Sequence, residues 1–558
     1  MRRAVSVAVF FLLALPVMAA ASTERYVVAL KPGVGAARGA QLLRDIDGGS
    51  VQPRSRDISA FRVLDGFAAD LTAEEAAALR RSAGVRYVEK AVERHILGGD
   101  LSPATNASRN LTGQTVPVGI DVVRARDVWG VTRGETINVV VVDTGVDYRH
   151  PDLMGVWAGG FNTLTQSSDP MDDNNHGTHV SGTIAAVDND LGVVGVAPKV
   201  KLWGVKVLRA NGTGSSDRVA AGLDWVIQQK RVLGGNWIIN MSLGSSTSSV
   251  FEREAVARVV AEGILIVAAS GNESTTANPA PVSYPAAYPG VLAVGAVHSN
   301  RQLASFSNQG PELAVVAPGV DVLSSIRTGA GSISFVQAGS TDFSAAELVG
   351  SKKGTVTGKF VVCGVGKEGE FPSTVAGRIA VIHRGGDITF AVKAQRAKAA
   401  GATAVVILNH ELTPLTFTLV DAADPNSALF DWPVTVALSK TDGAKLVANP
   451  DTTIVVSNIP DDYDSNNGTS MATPHAAGVA ALAWSVARSA TAADIRNAMI
   501  MNATDLGTAG FDNGFGHGLI DALATAKMLN PAAFGSPSTP PPPANQPSGR
   551  RTLRRGGH

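Results

Sequence analysis

From about residue 114 onward, apolar positions alternate between two textures. Residues 137–142, Ile-Asn-Val-Val-Val-Val, are nearly all β-branched, with almost no polar position to turn toward water. Such a run predicts a central parallel strand covered on both faces. Residues 200–208, 237–241 and 264–269 have the same character, and helical stretches intervene at 217–231 and 251–262. Alternation of this kind predicts an α/β fold, an open parallel sheet with helices on both faces. Ligands of such sheets bind beyond the carboxyl ends of the strands.

Two further textures flank or interrupt this region. Residues 24–97 read as a small α/β unit, with strands at 26–30 and 85–92 and helices at 37–44 and 72–81. A polar stretch without apolar periodicity follows from 98 to 112, the pattern of an exposed linker open to cleavage. Residues 330–460 read as a self-contained module, with strands at 359–363, 378–383, 404–409 and 432–438 and a helix at 390–400. The earlier pattern resumes at Asn467.

The ends differ from everything between them. Met1-Arg2-Arg3, an apolar run over 4–15, Pro16 and then Ala19-Ala20-Ala21 make a secretory signal peptide, with cleavage expected after Ala21. The run is shorter than the ~20 residues a spanning helix needs, and no later segment is long and apolar enough. The last stretch carries Pro540-Pro541-Pro542-Pro543, then Arg550, Arg551, Arg554 and Arg555, and reads as an extended solvated tail.

Composition narrows the function. Among 558 residues, 48 Lys and Arg balance 48 Asp and Glu, so the surplus of positive charge that draws in nucleic acid is missing. The single cysteine, Cys363, excludes an intrachain disulfide and Cys-clustered metal sites. As a lone thiol it reads as a small buried hydrophobe. An exported chain without disulfides gains durability through packing or bound ions.

Three segments carry chemistry. Val141-Val142-Asp143-Thr144-Gly145 places an acid where a buried strand ends. His176-Gly177-Thr178-His179 opens a helix of small residues. Asn467-Gly468-Thr469-Ser470-Met471-Ala472-Thr473-Pro474 precedes a long alanine-rich helix. Pro474 fits only near a helix beginning, so Ser470 sits at or beside that N-terminus. Singly, each has a plainer reading: a turn aspartate, a helical histidine pair for a metal, a serine N-cap.

Taken together, in the order Asp, His, Ser, the segments resemble the signature motifs of the subtilisin-like serine proteases. The likeness covers most of 114–330 and 461–530, and Gly113-Gln114-Thr115-Val116-Pro117 resembles the start of the mature bacterial enzymes. The resemblance implies Ser470 as nucleophile, His176 as general base and acid, and Asp143 as the group that orients the imidazole. It leaves His179 a packing role. Ala268-Ala269-Ser270-Gly271-Asn272 resembles the oxyanion segment, with Asn272 and the Ser470 N–H as donors.

Ser242-Leu243-Gly244 and Gly212-Thr213-Gly214 resemble the two backbone edges that pair with an extended substrate, and Ser283-Tyr284-Pro285 resembles the base of the primary pocket. No acidic residue is apparent in these segments. The expectation is a broad endopeptidase, cutting proteins and peptides after an apolar or large residue. Asp152 and the loop 187–193 resemble the family's strong calcium site. That match implies Gln114, Asp152 and Asn189 as side-chain ligands, with carbonyl oxygens from Val187, Leu191 and Val193. Such calcium is structural; catalysis needs no cofactor.

The likeness also implies an organisation. Residues 1–21 are the signal peptide. Residues 22–97 resemble an inhibitor-type α+β propeptide that blocks the cleft until the chain cuts itself in the 98–113 linker. Residues 114–334 and 456–532 form the peptidase domain. A β-rich protease-associated domain is inserted at 335–455, its likeness carried by Gly377-Arg378-Ile379-Ala380-Val381-Ile382-His383-Arg384-Gly385, and 533–558 is the tail. The expected product is a secreted, monomeric zymogen with no transmembrane segment. The competing readings are a non-catalytic relative that binds proteins and an adhesive surface protein held by its basic tail.

Overall fold

A computed structural model describes residues 22–46, 57–97, 113–411, 417–420 and 429–535. The expected signal peptide, nearly all of the expected linker and most of the expected tail lie outside the described residues.

Seven parallel strands form the central sheet. Their spatial order is Leu313–Pro318, Leu292–Val297, Leu265–Ala269, Trp237–Met241, Asn138–Asp143, Lys201–Lys206 and Trp157–Asn162. The β-branched run explains its central place. Val139 and Val141 enter the apolar cluster on one face, while Val140 and Val142 enter the cluster on the other. A strand with two buried faces has no use for polar alternation. Helices Ser216–Leu233 and Val250–Ala261 cover one face. His176–Ala185 and Thr469–Val486 cover the other. The Thr469–Val486 helix is buried along nearly its whole length, and its small, all-round apolar sequence is that of a core helix.

Three strands escape simple periodicity. Trp157–Asn162 is an edge strand with two glycines, and Leu292–Val297 and Leu313–Pro318 are short runs indistinguishable by composition from buried helix. Asn138–Asp143 lies where the chain turns from building one side of the sheet to building the other. Ligand sites form at such reversals.

The N-terminal unit is a βαββαβ fold whose antiparallel sheet runs Ile58–Ala60, Gly66–Leu71, Glu24–Leu30, Val85–Lys90. One face carries its own two helices; the other, through Val27, Ala29, Phe61, Leu64 and Ala68, joins the apolar cluster under the peptidase helices. Two carboxylates bind backbone across this contact. Glu89 accepts from the N–H groups of Val250 and Phe251 at the start of Val250–Ala261. Asp224 accepts from the N–H groups of Arg62, Val63 and Leu64.

The inserted domain is an eight-stranded mixed sheet with helices Phe390–Ala399 and Lys440–Val447. Its sheet takes in Gly331–Ala338 and Thr453–Asp461, and so extends beyond 335–455 at both ends. Cys363 is buried there, and burial pushes its thiol up to about 11, the behaviour of an inert core residue. Among the described residues no helix is long and apolar enough to cross a membrane.

Candidate active site

The expected triad residues arrive from three separate elements. Asp143 is the last residue of strand Asn138–Asp143 and is fully buried. His176 is the first residue of helix His176–Ala185, and its Nδ1 stands 2.8 Å from Asp143 Oδ1. A carboxylate there holds a proton on Nδ1 and leaves Nε2 as the basic nitrogen. That Nε2 is buried and has no hydrogen-bond partner. Asp172, which sequence patterning does not single out, fixes the two elements to each other. Its carboxylate accepts from Thr144 Oγ1 at 2.9 Å and from Thr178 N at 3.0 Å and Oγ1 at 2.6 Å.

Ser470 is the second residue of helix Thr469–Val486, which packs against the His176 helix. Its hydroxyl donates to the Ser242 carbonyl at 2.8 Å, so the serine–histidine hydrogen bond is not made in this state. Pro474 removes the N–H that would otherwise reach the Ser470 carbonyl. Ser242 Oγ takes its place, donating to that carbonyl at 2.9 Å. Asn272 has its side-chain oxygen engaged by Thr469 N and Oγ1, both at 2.9 Å. The amide NH₂ is thereby the end left free to donate.

A cleft beside these groups is filled by residues of the same chain. Strand Glu93–Ile96 lies as the middle strand between Leu243–Gly244 and Thr213–Ser215, antiparallel to both. Ile96 N donates to Gly212 O at 3.0 Å, and Leu97 N to Ser242 O at 3.3 Å. The Leu97 carbonyl then accepts from the Ser470 N–H at 3.0 Å. Gly244 makes room for this tail: a Cβ there would lie 3.0 Å from Leu97 Cδ1 and 2.6 Å from the Tyr284 carbonyl. Gly212 sits at φ +77°, which favours glycine, with Ile96 3.0 Å from where its Cβ would be.

The Subtilase family profile matches residues 134–355 and 427–518, more than half of the chain.

The chain belongs to the subtilase family.

The PA domain profile matches 334–446 and the Peptidase inhibitor I9 profile 25–97. Subtilisin E of Bacillus subtilis (strain 168) is 37% identical over 313 residues, covering 55% of this chain and 75% of that protein. The thermostable alkaline protease of Halalkalibacterium halodurans is 38% identical over 329 residues, covering 58% and 81%. The crystal structure of the psychrophilic subtilisin-like protease Apa1 from Pseudoalteromonas sp. AS-11 superposes with a TM-score of 0.53 at 31% identity, covering 76% of this chain and all of that one. This protein is thus a serine-type peptidase of subtilisin fold with an inhibitor-type propeptide and an inserted PA domain.

In this subtilase the remaining expected residues fall into two groups. Ser283 is buried and belongs to a network with Asn308 and Glu273. Glu273, next to Asn272 in sequence, lies outside the substrate segments, which contain no acidic residue, yet brings a carboxylate to Ser283. Its Oε2 accepts from Asn308 Nδ2 and from Asn272 N, which engages that oxygen. Burial raises its pKa, but the His95 imidazole, 3.9 Å away, and the hydrogen bond from Asn308 outweigh this and hold the carboxyl below its ordinary value.

The second group is an oxygen cage. The Gln114 side-chain nitrogen points at Val187 O, Asn189 Oδ1, Leu191 O and Val193 O, at 2.8, 3.3, 3.0 and 3.1 Å. An amide NH₂ has two hydrogens and cannot serve four acceptors. Asp152 Oδ1 is buried without a hydrogen-bond partner, and burial pushes the Asp152 carboxyl above its usual range. Converging carbonyls and a buried carboxylate with one oxygen unpartnered are the donor set of a hard cation. Among the described residues no three His, Cys, Asp or Glu side chains gather as they would for a transition metal.

Three buried histidines lie outside the expected triad, His150, His179 and His475, and the last two have shifted imidazoles. His179 Nε2 contacts the Val322 and Asp464 carbonyls at 2.9 and 3.2 Å, a packing role that ties its helix to the strand pair beside it. His475 Nδ1 contacts Met471 O at 2.9 Å. Burial pushes the His179 imidazole down to about 3 and that of His475 to about 4. The unfolded chain takes up these protons near pH 6.5, whereas the folded chain resists until pH 3–4, so stability falls as pH drops through that window. By pH 5 His179 and His475 each cost on the order of 2 kcal/mol. The Tm of a Ser470→Ala chain is therefore expected to fall by roughly 5 °C or more between pH 7 and pH 5. A flat or rising Tm would contradict the assignment.

Proposed function

We propose that this subtilase is an exported serine endopeptidase, made as a zymogen that cuts itself between Leu97 and Gly98. The observation that carries the reading is the Leu97 carbonyl on the Ser470 N–H, in a segment paired on both sides as a substrate would be.

Ser470 Oγ leaves the Ser242 carbonyl by rotation about χ1 and gives its proton to His176 Nε2 as it bonds to the Leu97 carbonyl carbon. Asp143 stabilises the imidazolium so formed. The oxyanion takes donors from Ser470 N and the Asn272 NH₂, aided by the helix N-terminus. His176 then passes the proton to the departing Gly98 nitrogen as the C–N bond breaks, leaving the acyl group on Ser470. A water that loses its proton to His176 releases the carboxylate and restores the serine. The same cycle serves proteins bound in trans, and Leu97 supports an apolar residue before the cut.

Asp152, Asn189, a reoriented Gln114 amide and the carbonyls of Val187, Leu191 and Val193 would hold a structural calcium ion. Bound there, it would supply charge compensation to a buried carboxylate and have a structural role only. Export rests on residues 1–21. Purified protein is expected to hydrolyse casein, to be labelled at Ser470 by a serine-directed phosphonate, and to carry Gly98 as its new N-terminus. Absence of phosphonate labelling would favour a non-catalytic binding protein instead.

A further inference from the structure

The segment that fills the cleft carries an arginine where a substrate's fourth residue before the cut would lie. Counting back from Leu97 at P1, Arg94 is P4, and it pairs in register with Gly214. Its side chain is fully buried, and so is that of Glu252, in the first turn of helix Val250–Ala261. Arg94 Nε donates to Glu252 Oε1 at 3.0 Å and Nη2 to Oε2 at 2.5 Å, a two-pronged pair. Arg94 Nη1 donates to Ser245 Oγ at 2.6 Å and to the Glu93 carbonyl at 2.9 Å. The Tyr288 hydroxyl, with one hydrogen between the Ser249 carbonyl at 2.9 Å and Glu252 Oε2 at 3.2 Å, lies on the far side.

We propose that Glu252 makes the P4 subsite of this enzyme selective for arginine, so that it prefers polypeptides with Arg at P4 and an apolar residue such as Leu at P1. The proposal rests on the proteolytic reading above. The propeptide has other ionic anchors on the peptidase, such as Arg25 with Asp217, which lie on its sheet and say nothing about substrates. Arg94 differs because it lies on the strand that ends at the Ser470 N–H. A pocket that receives P4 from this strand receives P4 from any chain in the same register. The planar guanidinium matches the Glu252 carboxylate with two parallel bonds and spares donors for Ser245 and the backbone, which a lysine ammonium cannot reproduce. A neutral side chain there leaves Glu252 buried without its partner.

The test uses processed enzyme and quenched-fluorescence peptides Val-Glu-X-His-Ile-Leu-Gly-Gly, with Arg, Lys, citrulline or norleucine at X. Citrulline keeps the shape and removes the charge. The expected kcat/KM for Arg exceeds that for citrulline by about 30-fold or more, with Lys between them. Glu252→Gln should bring the Arg-to-citrulline ratio close to 1. Because a precursor with Arg94 buried against an altered pocket could fail to mature, Arg94→Met with Glu252→Leu is made alongside; it should turn the preference toward norleucine. Casein hydrolysis is followed in each preparation. Casein cleavage with an Arg-to-citrulline ratio near 1 in the unaltered enzyme would overturn the subsite and leave the protease standing. No cleavage of casein or of any peptide would overturn both.

Discussion

Ser470→Ala is expected to abolish proteolysis and to leave the precursor joined at Leu97–Gly98. The hydroxyl belongs to the residue whose amide holds the Leu97 carbonyl, and alanine keeps the helix start while removing the nucleophile. The expected loss in kcat is about 10⁶-fold, a magnitude taken from subtilisins rather than from this geometry. The variant should run as one chain on a denaturing gel, and its tail should remain in the groove, because the Ser242, Gly212 and Ser470 backbone contacts to it survive. The normal enzyme should yield a product beginning at Gly98. A Ser470→Ala chain that matures when purified alone would disprove self-cleavage, and one that still hydrolyses casein would remove Ser470 from the mechanism.

Chelation is expected to destabilise the folded chain. With calcium absent, Asp152 is a buried carboxylate with one oxygen unpartnered, and four oxygens crowd a single amide group. An ion present at about a thousand times its Kd contributes roughly 4 kcal/mol, so its removal should lower the Tm by roughly 5–10 °C. The measurement belongs on Ser470→Ala, where self-digestion cannot mimic unfolding. Asp152→Asn should start from a lower Tm and respond little to chelator. Equal melting curves with and without chelator would remove calcium from this loop.

Much of the molecule was legible before folding. The β-branched run at 137–142 needs apolar contact on both sides, and that requirement alone marks a central parallel strand. Pro474 points to an early part of its helix and Ser470 is the second helical residue, although Pro474 itself lies past the first turn, where its missing N–H leaves the Ser470 carbonyl to Ser242. These are local consequences of side-chain shape and backbone bonding, and the order Asp143, His176, Ser470 then sufficed for the family resemblance.

Other features have no local cause. Glu252 looks like an ordinary first-turn acid, well suited to the dipole of its helix. Only the approach of Arg94, 158 positions earlier in the chain, makes it a recognition group. Glu273 gives no sign that it meets Ser283 and Asn308, and nothing in residues 93–97 announces a bound substrate. The edge strand Trp157–Asn162 has too mixed a composition to declare itself. The amino-acid order by itself indicated the layered fold through periodicity and short-range bonding, and the motif order Asp143, His176, Ser470 carried the resemblance that implies the modules and the triad. Tertiary structure decided which carbonyl rests on the Ser470 amide, which carboxylate meets Arg94 and how the oxygen cage closes. Each of those depends on charges and lone pairs brought together from distant segments after water has been excluded.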